Sequence, residues 1–120
     1  DTQVTLRNCQ HTVSQAYCAA LPVAYSPHEA ALWEPFARLV LEGAYEATLC
    51  AGVLNAVRTG NQRVFLTLLG GGVFGNAKNW ILDAIERAVD AFPVGLEVAI
   101  VSYRVADEDV GQWVGRWESR

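Results

Sequence analysis

The sequence predicts an α/β fold, a three-layer α/β/α sandwich in which a mixed sheet with a parallel core lies between two layers of helices. Two observations predict it. Residues 64–69 and 96–101 are apolar runs, of the kind found in strands that are buried on both faces. Residues 77–92 between them have the spacing of an amphipathic helix, and a strand-helix-strand order is typical of parallel strands joined by a right-handed crossover.

The composition indicates one unusually apolar domain over residues 1–120. The chain is 52% hydrophobic, with a mean hydropathy of +0.15. Such an excess suggests that another segment or another chain covers part of the apolar surface, so a homo-oligomer is one expectation. The other expectation is an N-terminal segment that precedes Asp1, which the lack of any methionine also favours.

Charge and cysteine usage exclude several classes of partner. The net charge of −4 and the pI near 5.0 leave no basic face for a phosphate backbone, so no nucleic acid is expected. No apolar run is long enough for a bilayer, and the N-terminus is unlike an export signal, so no membrane is expected. Cys9, Cys18 and Cys50 lack metal or disulfide spacing. We therefore expect an intracellular, cytoplasmic protein with no metal and no cofactor, in which Cys18 and Cys50 are buried and inert.

The N-terminal half predicts strands followed by one long helical segment. Residues 2–7 alternate as in a half-exposed strand, and residues 13–25 predict a second strand that passes into irregular chain. Ser26 and the proline after it then have the pattern of a helix start. Helical spacing of apolar residues continues to Gly60, although Pro35 is expected to kink or split the helix.

Three further features of the helical segments carry predictions. Gly43 and Gly52 lie within the long helix, where close packing on a sheet is the expected reason for glycine. Asp83 and Arg87 are spaced for an ion pair on the exposed side of the second helix. Residues 104–120 form a polar C-terminal tail, in which two tryptophans four residues apart predict one face of a short helix.

The glycine-rich segment after the first buried strand is the motif that carries chemistry. Gly70, Gly72 and Gly75 satisfy G-x-G-x-x-G between a strand and a helix. Glycine lets the backbone approach a ligand closely, and the helix that follows offers free amides to an anion. We predict a diphosphate cradle over residues 70–76, with Asn76 as a helix cap or a direct ligand. A turn that serves only the packing of strand and helix is the alternative.

Two known classes of phosphate site fit this segment less well. A P-loop requires Lys and then Ser or Thr after its last glycine, where this chain has Asn76 and Ala77. A Rossmann half-domain requires an acidic residue at the end of the next strand, where Ser102 and Tyr103 stand. A Rossmann-like half-domain that binds NAD or another nucleotide stays an alternative hypothesis.

Residues 28–103 resemble the C-terminal half of a macrodomain, the ADP-ribose-binding module. The resemblance rests on an aromatic-rich helix, a buried strand, Gly-Gly-Gly-Val-Phe-Gly, an amphipathic helix and a last strand that ends in an aromatic residue. It implies a macrodomain-like fold and the binding of ADP-ribose or an ADP-ribosylated protein. It places the adenine at Tyr103 and the diphosphate and distal ribose at the loop. The loop residues concerned are Gly70, Gly71, Gly72, Val73, Phe74, Gly75 and Asn76.

The resemblance leaves the question of catalysis open. In macrodomains that act as hydrolases, a second loop from the N-terminal half positions the attacking water, and this sequence has no such loop. ADP-ribosyl hydrolase activity is therefore an expectation without an assigned catalytic residue, since Glu46 is most simply a solvated mid-helix carboxylate. A third hypothesis is a non-catalytic interaction fragment whose apolar excess belongs to an interface.

Overall fold

The fold is built around one parallel strand-helix-strand unit. The computed structural model describes residues 2–3, 10–92 and 95–120. Short 3₁₀ turns lie at Val23–Tyr25 and Gly72–Phe74. The regular elements are, in chain order, strands β1 (Thr2–Gln3) and β2 (Thr12–Val13), helix α1 (Ala30–Thr59), strand β3 (Arg63–Thr67), helix α2 (Lys78–Ala91), strand β4 (Glu97–Val101) and helix α3 (Glu108–Glu118).

Strands β3 and β4 pair in parallel, as predicted, with α2 as the crossover between them. The register runs from Arg63 opposite Glu97 to Thr67 opposite Val101. Strands β1 and β2 form a separate antiparallel pair of two residues each. The predicted strand over residues 2–7 is thus seen at its first two positions, and residues 4–7 lie outside the described residues.

The predicted three-layer, macrodomain-like sandwich with a mixed sheet is wrong for this structure. Within the described ranges, the parallel sheet has two strands, and α1 and α2 both pack on the same face of it. Val64 and Leu66 are buried on that face, whereas Phe65 is 67% exposed on the other. An apolar run shows that neither set of alternate side chains is polar, but it does not show that both faces are covered. The result is two layers.

Helix α1 is continuous over 30 residues, with Pro35 inside its second turn. It begins at Ala30, later than predicted, although the Ser26 hydroxyl still accepts hydrogen bonds from two groups that follow it. That hydroxyl accepts hydrogen bonds from the His28 N–H at 3.1 Å and the Trp33 indole N–H at 2.8 Å. Gly60 ends the helix in the predicted left-handed conformation, and its N–H donates to Ala56. No helix in the described part of the chain has the length and apolarity that a membrane span requires.

Helices α1 and α2 pack along their lengths, with Leu41, Leu49, Ile81 and Ile85 fully buried between them and the sheet. The predicted Gly52 contact with the sheet is confirmed, because a Cβ there would lie 2.7 Å from Val64 Cγ2. The same explanation is wrong for Gly43, where a Cβ would meet nothing within 4 Å.

The ion pairs of Asp83 and Arg87 reach across to α1 rather than along α2. Asp83 accepts from Arg38 at 2.7 Å, and Arg87 donates to Glu46 at 2.8 Å. In place of the predicted pair between Asp83 and Arg87, the two residues form three bridges to α1, of which the third joins Arg87 to Glu42 at 3.5 Å. The charged edge of each helix thus faces its neighbour, which fixes how the two helices sit side by side.

The C-terminal tail, residues 104–120, contains α3. Asp107 caps this helix by accepting from the N–H groups of Asp109 and Val110, a typical N-cap arrangement. Trp113 packs against the core, and Arg120 lies over the Trp117 ring at 5.5 Å. The short helix predicted from the two tryptophans is thus present, and it folds back onto the body of the protein.

Candidate functional site

The glycine-rich loop joins the end of β3 to the start of α2 and is closed by its own backbone. The N–H of Gly71 donates to Leu68, that of Gly75 to Gly72 and that of Asn76 to Gly70, at 3.0 to 3.2 Å. Gly70, Gly72 and Gly75 have φ values of 73°, 54° and 73°. This is the left-handed region, which side chains with a Cβ rarely adopt, so glycine is the favoured residue at these three positions.

Two of the glycines also press against an earlier segment of the chain, residues 20–24. A Cβ at Gly70 would overlap the Cβ of Ala20, and one at Gly75 would lie 2.8 Å from the Cβ of Ala24. The ends of the loop therefore serve packing. This is the alternative that the sequence left open for the motif, and it holds for Gly70 and Gly75.

Asn76 fastens the same two segments together. It is buried, and its Nδ2 donates to the carbonyls of Leu21 at 2.8 Å and Gly70 at 3.0 Å. The expectation that Asn76 caps α2 is wrong, since the cap position is Ala77 and the Asn76 amide points toward Leu21. Its Oδ1 is buried without a partner in the described part of the chain. The Asn76 side chain therefore has a structural role, since it links the loop to Leu21.

The middle of the loop, Gly72–Phe74, is different from its ends. A Cβ at Gly72 would meet nothing within 4 Å, and Val73 is 74% exposed. The N–H groups of Gly72 and Val73 have no backbone acceptor among residues 10–92 and 95–120, whereas the 3₁₀ turn directs the Phe74 N–H toward the Gly71 carbonyl. Phe74 is anchored by an edge contact with Tyr25 at 6.0 Å. Free amides at an exposed turn are the group that an anion needs.

The side chain of Tyr45 holds the start of the loop through two hydrogen bonds, a role that the sequence did not predict. Its hydroxyl donates to the Thr67 carbonyl at 2.7 Å and accepts from the Leu69 N–H at 2.9 Å. Burial raises the pKa of Tyr45 to about 12. The sequence feature that could have predicted this role is a tyrosine on the buried face of α1, since a buried phenol needs a hydrogen-bond partner.

A cavity of about 460 Å³ opens at the carboxyl ends of β3 and β4. In α/β sheets, ligands bind at this edge. Tyr103 forms one wall; it is 84% exposed, and the Arg104 guanidinium lies 5.1 Å from its ring centre. The lining residues are Thr67, Leu68, Val101, Ser102, Tyr103, Val105 and Asp107.

The structure brings together some of the predicted site residues and separates others. Tyr103 lines the cavity, and so does Leu68, whose carbonyl accepts from the Gly71 N–H at 3.2 Å. The loop therefore starts at the cavity wall. Residues 70–76 are not themselves among the residues that line the cavity. Loop and cavity are adjacent surfaces rather than one pocket.

Lys78 supplies the positive charge at the start of α2. Its ammonium lies 2.9 Å from Asp107 Oδ2 and 3.0 Å from Asp109 Oδ2. The hydrogen bonds raise the pKa of Lys78 and lower that of Asp107. The arrangement ties the start of α2 to the start of α3, and it places a carboxylate at the mouth of the cavity.

The other candidate residues do not gather around the cavity. Glu46 is paired with Arg87, and Cys18 and Cys50 are exposed free thiols rather than buried ones. Cys18 Sγ lies 3.8 Å from the Ala44 carbonyl. Within the described ranges, His, Cys, Asp and Glu side chains form no group of three that could hold a metal ion.

Comparisons of the chain with protein-family models, with curated proteins and with solved structures find no match.

Proposed function

We propose that this protein binds ADP-ribose or an ADP-ribosyl group at the carboxyl edge of β3 and β4. The observation that carries the proposal is the cavity at this edge, with an exposed aromatic wall at Tyr103 and with Leu68, where the glycine-rich loop starts, in its lining. A nucleotide diphosphate has the same two parts, a flat base and an anion. The proposal rests on this site and does not require a third layer in the fold.

The base is proposed to stack on Tyr103. The ring is exposed, and it stands at the end of β4 on the rim of the cavity. Stacking of a base on an aromatic side chain contributes about 1–3 kcal/mol. The Arg104 guanidinium, which lies over this ring, would be displaced or would stack on the other side of the base.

The diphosphate is proposed to bind the N–H groups of Gly72 and Val73 and those of the first turn of α2. These amides have no intrahelical partner at the start of a helix, and the helix dipole favours an anion there. Ala77, the N-cap residue of α2, has no polar side chain that would compete for these amides. Lys78 is the nearby cation, and a bound diphosphate would draw it away from Asp107 and Asp109.

Binding, rather than hydrolysis, is the function that this site supports. Asp107 is the carboxylate among the residues that line the cavity, and it is already committed to Lys78 and to the cap of α3. A general base needs a free lone pair near the attacked atom. We therefore assign no catalytic residue.

Calorimetric titration with ADP-ribose, AMP and NADH tests the proposal. We expect ADP-ribose to bind more tightly than AMP, because AMP lacks the second phosphate, and more tightly than NADH. Val73→Asp should weaken ADP-ribose binding at least about tenfold through charge repulsion. Val73→Asn introduces a side chain of the same shape as Asp without the charge, and it should not weaken binding in this way. Tyr103→Ala should weaken binding about tenfold or more, and Tyr103→Phe should leave it nearly unchanged.

The outcomes that contradict the proposal are specific. Absence of any heat with ADP-ribose would overturn it, and so would equal binding by Val73→Asp and Val73→Asn. Tighter binding of NADH than of ADP-ribose would favour the alternative of a redox nucleotide site.

A further inference from the structure

Helix α1 presents an uncharged apolar stripe to solvent along nearly its whole length. Its five large members are each more than half exposed. The stripe recurs every three or four residues, which is one face of a helix about 45 Å long. The exposed residues of this stripe are Leu32, Phe36, Leu39, Gly43, Ala47, Cys50, Leu54 and Val57.

The charged side chains of α1 lie beside the stripe and are used within the protein. Glu34 pairs with Arg38, which in turn reaches Asp83 of α2. Glu42 and Glu46 both pair with Arg87 of α2. Most surface helices direct charge outward and apolar residues inward. Here these charged side chains lie at the contact between α1 and α2, and the solvent-facing side of α1 is apolar.

We propose that this stripe is the interface for a second copy of the chain, with the two α1 helices antiparallel. The size pattern of the stripe is self-complementary about its middle. Large residues lie at both ends, and Gly43 and Ala47 lie at the centre, where two helix backbones can approach closely. In a twofold arrangement about this centre, Leu32 of one copy meets Val57 of the other, and Leu39 meets Cys50.

The exposed area fits a stable dimer. The five large side chains expose on the order of 600 Å² on each copy, and the small residues between them bring this near the roughly 800 Å² per partner of a standard interface. The largest apolar patch of a typical monomer is itself about 300–600 Å². The stripe is therefore at or above the size that a monomer exposes without a partner.

Charge favours the antiparallel arrangement over the parallel one. Glu29 is exposed at the N-terminal end of α1, and Arg58 is exposed at the C-terminal end. An antiparallel pair opposes the two helix dipoles, and it brings Glu29 of one copy toward Arg58 of the other, which also donates to Asn55 of its own helix at 3.2 Å. A parallel pair would place Glu29 beside Glu29 and Arg58 beside Arg58.

Sedimentation of the full chain over about a hundredfold range of concentration tests the dimer. We expect a species of twice the 13.1 kDa chain mass. Ala47→Glu places a charge at the centre of the stripe and should weaken the dimer at least about tenfold. Ala91→Glu is the matched control, because Ala91 is also an exposed helical alanine but lies on α2. It should leave the dimer unchanged, and circular dichroism should show that both variants are folded.

Disulfide trapping tests the orientation, in a background in which Cys9 and Cys18 are changed to Ser. Leu39→Cys should form a dimer with Cys50 of the other copy under mild oxidation. Leu39→Cys combined with Cys50→Ser should not, because antiparallel helices keep the two introduced thiols apart. The parallel arrangement predicts the reverse, with cross-links between identical positions.

Four outcomes would overturn the proposal. They are a monomer at every concentration, a dimer that Ala47→Glu leaves intact, cross-links between identical positions only, and a monomer that binds neutral lipid vesicles through the stripe. The last result would make α1 a membrane-surface helix. The stripe shares no residue with the cavity, so loss of dimerisation and loss of ADP-ribose binding are separately measurable.

Discussion

The ends and the middle of the glycine-rich loop share one motif but have opposite surroundings. Gly70 and Gly75 lie against the Cβ atoms of Ala20 and Ala24, whereas Gly72 faces open space. All three have positive φ, so the sequence cannot distinguish them. One G-x-G-x-x-G motif therefore combines two positions that shape the loop by packing with one that faces open space.

Substitution of Gly70 should have the largest effect. Gly70→Ala introduces an overlap with Ala20 in addition to an unfavourable φ, so we expect a loss of about 3 kcal/mol in the free energy of unfolding. Urea denaturation measures it. Combining it with Ala20→Gly should remove the overlap with Ala20 and leave the 2.7 Å approach to Asn76 Nδ2, so the double variant should lose less than the sum of the single losses.

The matched control for this prediction is Gly111→Ala. Gly111 lies within α3, and a Cβ there would meet nothing within 4 Å. We expect a gain of up to about 1 kcal/mol, because alanine is the better helix former. If Gly70→Ala proved as harmless as Gly111→Ala, the packing role of the loop ends would be refuted.

Asn76→Asp should have the next largest effect, and the effect should depend on pH. It replaces an amide that donates to Leu21 and Gly70 with a carboxylate that faces the same two carbonyls. Burial raises the pKa of the introduced carboxyl above its unfolded value. The penalty should therefore be small near pH 3 and grow to about 3 kcal/mol as the pH rises to neutrality.

The measurement is the difference in unfolding free energy between the variant and the original chain at each pH. A difference that does not change with pH would mean that the amide makes no buried contact with the carbonyls. Asn76→Ser, which removes charge from the comparison, should give a loss that is independent of pH.

Tyr45→Phe should cost about 2 kcal/mol, because it leaves the Leu69 N–H and the Thr67 carbonyl without their partner. The pKa of Tyr45 is raised from 10 to about 12, so the folded state holds this proton more tightly than the unfolded state. The corresponding stability is present in full below pH 10 and is lost as the pH rises toward 12. The melting temperatures of the Tyr45→Phe variant and of the original chain should therefore converge as the pH rises from 10 to about 12. A difference in melting temperature that stays constant over this range would contradict the hydrogen-bonding role of Tyr45.

Gly72→Ala should have the smallest effect on stability. Its cost is the φ of 54° alone, about 1 kcal/mol, because the position is open. Its effect on ADP-ribose binding, by calorimetry, should exceed its effect on folding. A loss of stability as large as that of Gly70→Ala would erase the distinction between the middle and the ends.

The local elements of the fold could be predicted from the sequence, but the number of layers could not. The αL end at Gly60, the parallel pairing of β3 with β4 and the extent of α2 follow from local patterns. The exposure of Phe65 could not be predicted, because an apolar run carries no information on what covers each face of the strand. The ion pairs of Asp83 and Arg87 also depend on where α1 lies, which the spacing within α2 cannot reveal.

For the candidate site, the backbone conformations could be predicted but the partners could not. Positive φ at three glycines follows from the motif. The burial of Asn76 against Leu21 and the Tyr45 contacts are made across the fold, and no short-range pattern encodes them. Tyr103 stands at the rim of the cavity because it follows the last parallel strand.

The bond from Asn76 to Leu21 joins residues that are 55 positions apart in the chain. A turn of seven residues would ordinarily form by itself early in folding, but this one is completed only when the N-terminal segment docks. Long-range closure of this kind is slow compared with helix formation, since chain entropy is lost before any contact is gained. The open turn Gly72–Phe74 would therefore reach its final form only after residues 20–24 have packed against the loop.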